Sequence, residues 1–471
     1  MPASLSPIFQ GQMLDRAYQE QLSATNAFRK TAYRLPMPIR SGESMTYSRA
    51  GRIAPSLDDI NPASNVILDN GAVPGGVGTV NPAPFPFEQY SVGIGMQEGD
   101  AIDLNLIQNQ EIIANLFAQN TDNLAEQAAL QLDLRVIRTA LRAYEGGQTF
   151  ATTPGTAVTA MTVDNVYGFD TSFATGVFGK AGVSYPYGLP QTTSATYPSN
   201  ARFIPVSTGI AQPISIVGVA FDGVNVSSGN VNNLNYGASG TITLSAALTF
   251  VKGDVLIAND AQQVLRPNGK TSRFAMAPTD TMGAQMIINA VAALRRNGIK
   301  PPLANGTFPC YIDPVVDAQF FTDSQYQIMS QGQMESPDFK GARISRNFGV
   351  TFIPTTNLPA YTFTPAGGGT LVSRRVIVCG EKWVQESPFE GTKAAIAALP
   401  DMGVVDYRFV GDIVFTNRMP LDRAGQVMSS LWYYIGGFVV PTNATITSAV
   451  IPTATTARYK SAVVVEVASA S

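Results

Sequence analysis

The side chains that most often carry chemistry are thinly spread along these 471 residues, and histidine is absent altogether. That excludes Ser-His-Asp and Cys-His nucleophilic constellations and zinc sites with imidazole ligands. It also leaves no side chain whose unperturbed pKa lies near neutrality to shuttle protons. Lysine-based and carboxylate-only chemistry remain open. Cys310 and Cys379 sit in the apolar runs CYI and VIVCG. Two cysteines make no disulfide framework. They read as buried free thiols, with a single bridge as the alternative.

The carboxylates offer little more. Glu381 and Glu386 flank Trp383 in a run that reads as strand. Paired carboxylates do acid/base work, but no second feature accompanies this pair, so a structural use is expected. Asp58 and Asp59 are adjacent, so their side chains point apart, as in a solvated turn. PGGVGTV (Pro74–Val80) is rich in glycine, yet no Lys-Ser/Thr follows it and no strand-to-helix context surrounds it, so it is not a phosphate loop. In FKGARISRNFG, Lys340, Arg343 and Arg346 recur three apart. The row suits nucleic acid or an acidic neighbour, with a solvated face as the expected reading. No catalytic residue, metal site or cofactor is expected. The enzyme alternative, a glycosidase, would need two carboxylates roughly 5–9.5 Å apart in a cleft.

Composition points the same way. Apolar residues make up 45% of the chain and charged residues 14%, well under the ~25% usual for soluble proteins. The formal charge is 31 − 34 = −3, too small to suggest a strongly basic face for nucleic acid. The N-terminus lacks the basic start and apolar core of a signal peptide. The longest uncharged stretch, 424–457, is interrupted by Gly436, Gly437, Pro441 and Asn443. It reads as β-structure rather than a membrane-spanning helix, and no membrane partner is expected.

The elements read as follows. Residues 1–36 form an N-terminal arm, in which Met13, Ala17, Gln21 and Ala24 share one face of a short helix; the arm is expected to order against a neighbour. Residues 37–103 form an extended loop: SMTYSRAGRI and EQYSVGIGMQEG are strands around a tip crowded with Pro, Gly and Asn. Residues 104–150 hold a long helix, predicted over Asp103–Glu145 with a break near Gln119–Asp122. Leu130, Leu134, Ile137, Leu141 and Tyr144 make its apolar stripe, and Arg135, Arg138 and Arg142 a flanking basic one. Residues 151–272 form a β-rich insertion. Residues 273–440 hold the remaining core, and 441–471 are C-terminal strands. Within the core, a helix over Thr279–Asn297 is capped by Thr279 or Asp280 and closed by Asn297-Gly298. The strand FPCYI then runs into Asp313-Pro314, which starts a helix reaching about Met329. TKAAIAALP reads as a helical turn. The class is α+β, with antiparallel strands at both ends.

This order resembles the major capsid proteins of tailed bacteriophages, with the Hong Kong 97-type fold, and within them the coats of short-tailed phages that carry an inserted β domain. MPIRSGESMTYSRAGR (Met37–Arg52) resembles the lead-in to the extended loop, with Glu43 where Asp is common. EQAALQLDLRVIRTAL (Glu126–Leu141) resembles the end of the spine helix. AVAALRRNGIKPPLANGTFPCYIDPVVDAQFFTDSQY (Ala290–Tyr326) resembles the segment in which a helix leads to a strand and a second helix. Asp313-Pro314 stands there where many relatives have His-Pro, and Phe320-Phe321 at a leucine-type position. The resemblance implies a fold of N-terminal arm, extended β-loop, long spine helix, central antiparallel sheet and β-rich insertion. It implies a subunit that forms pentamers and hexamers of an icosahedral shell in the virion, assembled in the host cytoplasm with a scaffolding protein and a portal protein. Double-stranded DNA is packaged inside without sequence specificity, and a decoration protein is a further partner.

The residues agree on their own terms. A chain low in charge and without histidine suits a protein that buries much surface against its own copies, since obligate interfaces are large and apolar. The expected contacts are Asp69, Asn70, Gly75, Gly76, Phe85 and Phe87 of the loop, and Arg135, Arg138 and Arg142 of the helix. An encapsulin-like or other self-assembling shell protein is the alternative.

Overall fold

The computed structural model describes residues 27–39, 44–50, 87–99, 102–105, 116–166, 169, 199–221, 239–258, 261, 264–330, 346–365, 368–392, 405–418, 427–440 and 461–470. The chain begins with β1 (Tyr33–Arg34), β2 (Ser44–Ala50), β3 (Phe87–Gly93), β4 (Gly95–Glu98) and β5 (Ile102–Asn105), then the helix α1 (Leu116–Tyr144). Six strands follow: β6 (Gln148–Phe150), β7 (Gly155–Val163), β8 (Ser199–Ile204), β9 (Gln212–Phe221), β10 (Gly240–Phe250) and β11 (Val255–Ala258). Next come α2 (Ala284–Arg296), β12 (Phe308–Ile312), α3 (Pro314–Thr322) and α4 (Ser324–Ser330). The rest is strand: β13 (Arg346–Asn347), β14 (Val350–Pro354), β15 (Tyr361–Phe363), β16 (Leu371–Cys379), β17 (Gln385–Pro388), β18 (Val405–Val410), β19 (Ile413–Arg418), β20 (Val427–Val439) and β21 (Ala462–Ala470). The fold is α+β.

The first sheet is organised by β20, which is long enough to hold several partners. β19 and β17 pair with successive parts of one edge, continued by β18 and β1, and β5 and β4 pair with successive parts of the other edge. α1 lies on this sheet through Leu124, Ala125, Ala128, Ala129 and Leu132, which pack on Val410, Ile413, Phe415, Trp432 and Tyr434. Alanine dominates the contact because a small side chain lets the helix approach closely. The stripe expected from spacing is buried only toward its C-terminal end: Ile137, Leu141 and Tyr144 enter a second core, Leu134 is half-buried against it, and Leu130 is half-buried outside both. The helix also does not reach back to Asp103, and it is continuous. Residues 102–105 are strand, paired with Val427–Ser430, and α1 runs through Gln119–Asp122 without a break.

The second sheet closes on itself. Its order is β6-β11-β8-β9-β10-β7, and Ala151 bridges Val163 to join the two ends. Bonds from Thr152 N–H to the Thr162 carbonyl and from Asp164 N–H to the Phe150 carbonyl seal the seam. Closure removes most of the free edge. The interior is filled by Met161, Val163, Phe203, Ile216, Ile242, Leu244 and Phe250 among others.

The third sheet, β13-β14-β12-β16-β15 with β21 along β16, is mixed rather than antiparallel: β12 and β14 run parallel. β1 also runs parallel to β17. Strand alternation divides the third sheet between two cores. Val463, Val465 and Val467 of β21 face α2, while Ala462 and Val464 face the C-terminal half of α1. The cysteines follow the same rule. Cys310 lies on the α2 side and Cys379 on the α1 side, so both are free, buried thiols rather than a bridge.

Two helix starts differ from expectation. α2 begins at Ala284, with Gly283 as N-cap. Its first N–H is taken by Asp323, 2.8 Å away in space and 39 residues on. Asp280 instead binds Ala277 N–H and Asn268. Asp323 also divides the next helix: its backbone is extended, which separates α3 from α4. Asp313 does cap α3, accepting from Val315 N–H at 2.8 Å, with Pro314 in the first turn. Asn297 and Gly298 close α2, with Gly298 at φ 66°.

Candidate assembly surfaces and the buried ion pairs behind them

β2 and β3 form a two-stranded antiparallel ribbon that shares no sheet with any other described strand. Its base is anchored. Val92 and Tyr47 pack with Met37 and Val439, and Gly437 of β20 has no side chain where the Gly93 carbonyl and Val92 come close. From Ala50, opposite Phe87, the chain continues into residues 51–86. Of the loop residues expected to make contacts, Asp69, Asn70, Gly75, Gly76 and Phe85 lie outside the described residues. Phe87 opens β3. Asp58, Asp59, Pro74–Val80, Lys340, Arg343, residues 393–400 of the expected helical turn and the Met13–Ala24 helix also lie outside them. Arg346 opens β13.

Two arginines of the expected basic stripe, Arg135 and Arg138, share one flank of α1. Arg135 is exposed and Arg138 half-buried, and with Gln127, Leu130, Gln131 and Leu134 they line an open groove of about 450 Å³. Burial pushes the Arg135 pKa down, and the neighbouring Arg138 charge adds to this. Arg142 is two residues from the end of the same helix.

The strongest electrostatics are inside. On β21, Glu466 accepts from Arg266 Nε at 2.7 Å, from Arg273 Nε and from the Ser373 hydroxyl. Arg273 also lies over Tyr361 and Phe150, at 4.6 and 5.2 Å from the ring centroids. Arg375 binds Glu145, just past the end of α1, at 2.5 Å. This cluster ties together the third sheet, α1, and the 264–276 segment that follows the closed sheet. Burial alone would raise the Glu466 pKa, but Arg273, Arg266, Arg375 and Ser373 together hold it well below the usual carboxylate range.

A second centre fastens the N-terminal segment. Asp133 of α1 accepts the N–H groups of Phe28 at 2.8 Å, Arg29 at 3.0 Å and Ala27 at 3.3 Å. Burial raises its pKa against the pull of these three donors. Glu386 of β17 takes Arg29 at 2.6 Å, the Tyr434 hydroxyl at 3.1 Å and Arg34 at 3.4 Å. Residues 27–37 are thus bound to their own chain, with Phe28 buried, and this part of the arm does not wait for a neighbour.

These arrangements position elements. Glu386 serves as an ion-pair partner, while Glu381 stands exposed in a turn rather than a strand, so the two do not converge. Among the described residues no group of three His, Cys, Asp or Glu is placed to hold a metal, and no helix is long and apolar enough to cross a membrane. Spacing arguments missed Asp133 and Glu466; Glu386 was expected to have a structural use, and its pairing with Arg29 is one. A signal existed: LQLDLRVI and AVVVEVA each carry one acid in an apolar run, and a charge there needs a buried partner. Which donors answer it, backbone N–H groups for Asp133 and arginines for Glu466, is decided by pairs 104 to 200 residues apart.

No family model matches the chain, and no curated protein does either. Solved structures do. The capsid of Ralstonia phage GP4 is 11% identical with a TM-score of 0.48, covering 95% of this chain and 92% of that one. The cyanophage Pam1 capsid asymmetric unit is 11% identical with a TM-score of 0.46, covering 96% and 93%. The capsid of cyanophage P-SCSP1u is 10% identical with a TM-score of 0.42, covering 93% and 87%. No residue's role is carried over from these likenesses.

Proposed function

We propose that this chain is the major capsid protein of a tailed bacteriophage. It is a structural subunit, not an enzyme, that self-assembles into an icosahedral shell around double-stranded DNA. The observation that carries the reading is the ribbon β2–β3. A two-stranded ribbon is marginal in water by itself. Here its base is packed on Met37 and Val439, and it leads to a long Gly- and Pro-rich segment, 51–86. Such a limb gains its stability on another surface, and copies of the same chain supply that surface in a closed assembly. The element order supports the same conclusion: ribbon, long helix on a sheet, closed β-unit, then a helix on a mixed sheet, as in the Hong Kong 97-type arrangement the sequence resembles.

In this reading Asp69, Asn70, Gly75, Gly76, Phe85 and Phe87 meet a neighbouring subunit, and Arg135, Arg138 and Arg142 offer cations to one. The domain division at 36, 103, 150, 272 and 440 belongs to the same proposal. So do pentamers and hexamers, assembly in the host cytoplasm, and the scaffolding, portal and decoration partners.

The test is assembly. The chain is expressed alone and with candidate scaffolds, then followed by sedimentation velocity and negative-stain microscopy. Closed shells are expected. Replacing 51–86 with a short Gly-Ser linker should leave a folded monomer that forms none. A wild-type chain that stays monomeric under every condition overturns the reading, and normal shells from the linker variant overturn the role of the loop. Shells that enclose protein cargo, never DNA, in cells would favour an encapsulin-like compartment.

A further inference from the structure

In the groove on α1, Gln127, Leu130, Leu134 and Arg138 follow one another at spacings of three and four, with Gln131 and Arg135 beside them. From Gln127 to Arg138 the strip is about 16 Å long. Leu130 and Leu134 give it an apolar floor. The strip belongs to a helix, whose N–H and C=O groups bond one another, so it offers an incoming chain no row of backbone partners. Its glutamines are engaged as well: Gln127 accepts from the Trp432 indole at 3.1 Å, and Gln131 donates to the Glu98 carbonyl at 3.4 Å. An extended segment laid here would leave its own N–H and C=O groups facing leucine, which is costly. A helix satisfies its backbone internally and brings only side chains.

The arginines set the charge of the occupant. Among the described residues no carboxylate stands within ion-pair distance of Arg135 or Arg138, and the Arg138 Nε is buried without a hydrogen-bond partner. A buried donor left without an acceptor costs free energy, and a carboxylate answers it with paired, charge-assisted bonds. Arg135 and Arg138 stand one helical turn apart, so two carboxylates one turn apart on a facing helix meet both. The leucines favour a peptide over a nucleic-acid backbone. Covering Leu130 and Leu134 gains free energy only from apolar surface, and a phosphodiester chain brings charge in its place.

We propose that the α1 groove binds an amphipathic, acidic α-helix of another protein. Apolar side chains four residues apart lie on Leu130 and Leu134, and carboxylates in the turn that follows pair with Arg135 and Arg138. This is recognition of a helix in a groove, with the apolar anchors giving affinity and the charges fixing register and direction. Three helical turns match the length of the strip. The inference goes beyond the shell reading, because the docking stands whether or not the chain forms shells.

The test uses the full-length, unassembled chain and fluorescence anisotropy. The probe is a fluorescein-labelled, alanine-rich peptide of about 20 residues, long enough to be helical by itself. It carries two leucines four apart on one face and two glutamates in the turn that follows. Saturable binding is expected, weakened at least tenfold by Arg135→Glu and at least tenfold by Arg138→Glu. A second peptide with lysines for the glutamates should bind wild type at least tenfold more weakly than the first, and the doubly exchanged chain, Arg135→Glu with Arg138→Glu, should prefer it. Arg135 is exposed, so Arg135→Glu keeps the fold, checked by circular dichroism, and carries the test should Arg138→Glu fail to fold. No binding of the glutamate peptide, equal binding of the lysine peptide to wild type, indifference to Arg135→Glu, or tighter binding of a short DNA duplex that Arg135→Glu abolishes would each overturn the proposal. Shell formation, scored separately by microscopy, tests the capsid reading alone.

Discussion

Replacing Glu466 by glutamine removes one charge from the centre of the molecule while keeping its shape. Glu466 is fully buried and takes donors from Arg266, Arg273 and Ser373. Glutamine retains one acceptor oxygen and turns the other end of the side chain into a donor, which then faces an arginine. Arg266 and Arg273 stay buried beside Phe150 with their counter-charge gone. Breaking one side of a buried ion pair costs about 3–5 kcal/mol, because the surviving charge is left uncompensated. A loss of that size is expected in urea or thermal unfolding followed by Trp383, which lies in the core on the same side of the third sheet. The acid limb gives a second readout. The folded-state pKa of Glu466 is depressed from the usual 4.5. Its contribution is therefore complete above that value and is lost as pH falls below it toward the folded pKa. Wild-type stability should fall with acid in that window, and the variant should fall less steeply. A loss under about 1 kcal/mol, the ceiling for a typical exposed pair, together with an unchanged acid limb, would refute the claim that this cluster holds the closed sheet to the core.

Other perturbations separate the remaining anchors. Asp133→Ala strips acceptors from three backbone N–H groups and should cost about 2 kcal/mol, read as faster amide exchange at Ala27–Arg29. Asp133→Asn, which keeps the oxygen that serves Phe28 and Arg29, should cost less. Gly437→Val drives a side chain into the Gly93 carbonyl and Val92. It should loosen the ribbon base, seen as protease sensitivity between 44 and 93, with the sheet around Trp432 unaffected. Cys310 and Cys379 are buried, and burial pushes both thiols well above their ordinary pKa. Neither should react with a thiol reagent at pH 8 in the native chain, and both should react in denaturant. Fast labelling of either would contradict their placement on opposite faces of the third sheet.

Local signals in the chain determined a good deal. Alternating and continuous apolar runs specified the strands, and Asp313-Pro314 and Asn297-Gly298 set helix boundaries, because caps and turns act over three or four residues. The absence of histidine set limits on chemistry before any folding was considered. Tertiary structure decided what depends on distant partners. Asp103 went into a strand because β20 offered an edge there. Asp323 became the cap of a helix 39 residues away. α1 turned its alanines rather than Leu130 and Leu134 to the sheet, since the closest approach, not the largest side chain, fixed its face. The lone acids Asp133 and Glu466 were visible in sequence as charges in apolar surroundings. Their partners were not, because a buried donor is chosen by where the fold brings the chain back together, and sequence spacing carries no record of that meeting.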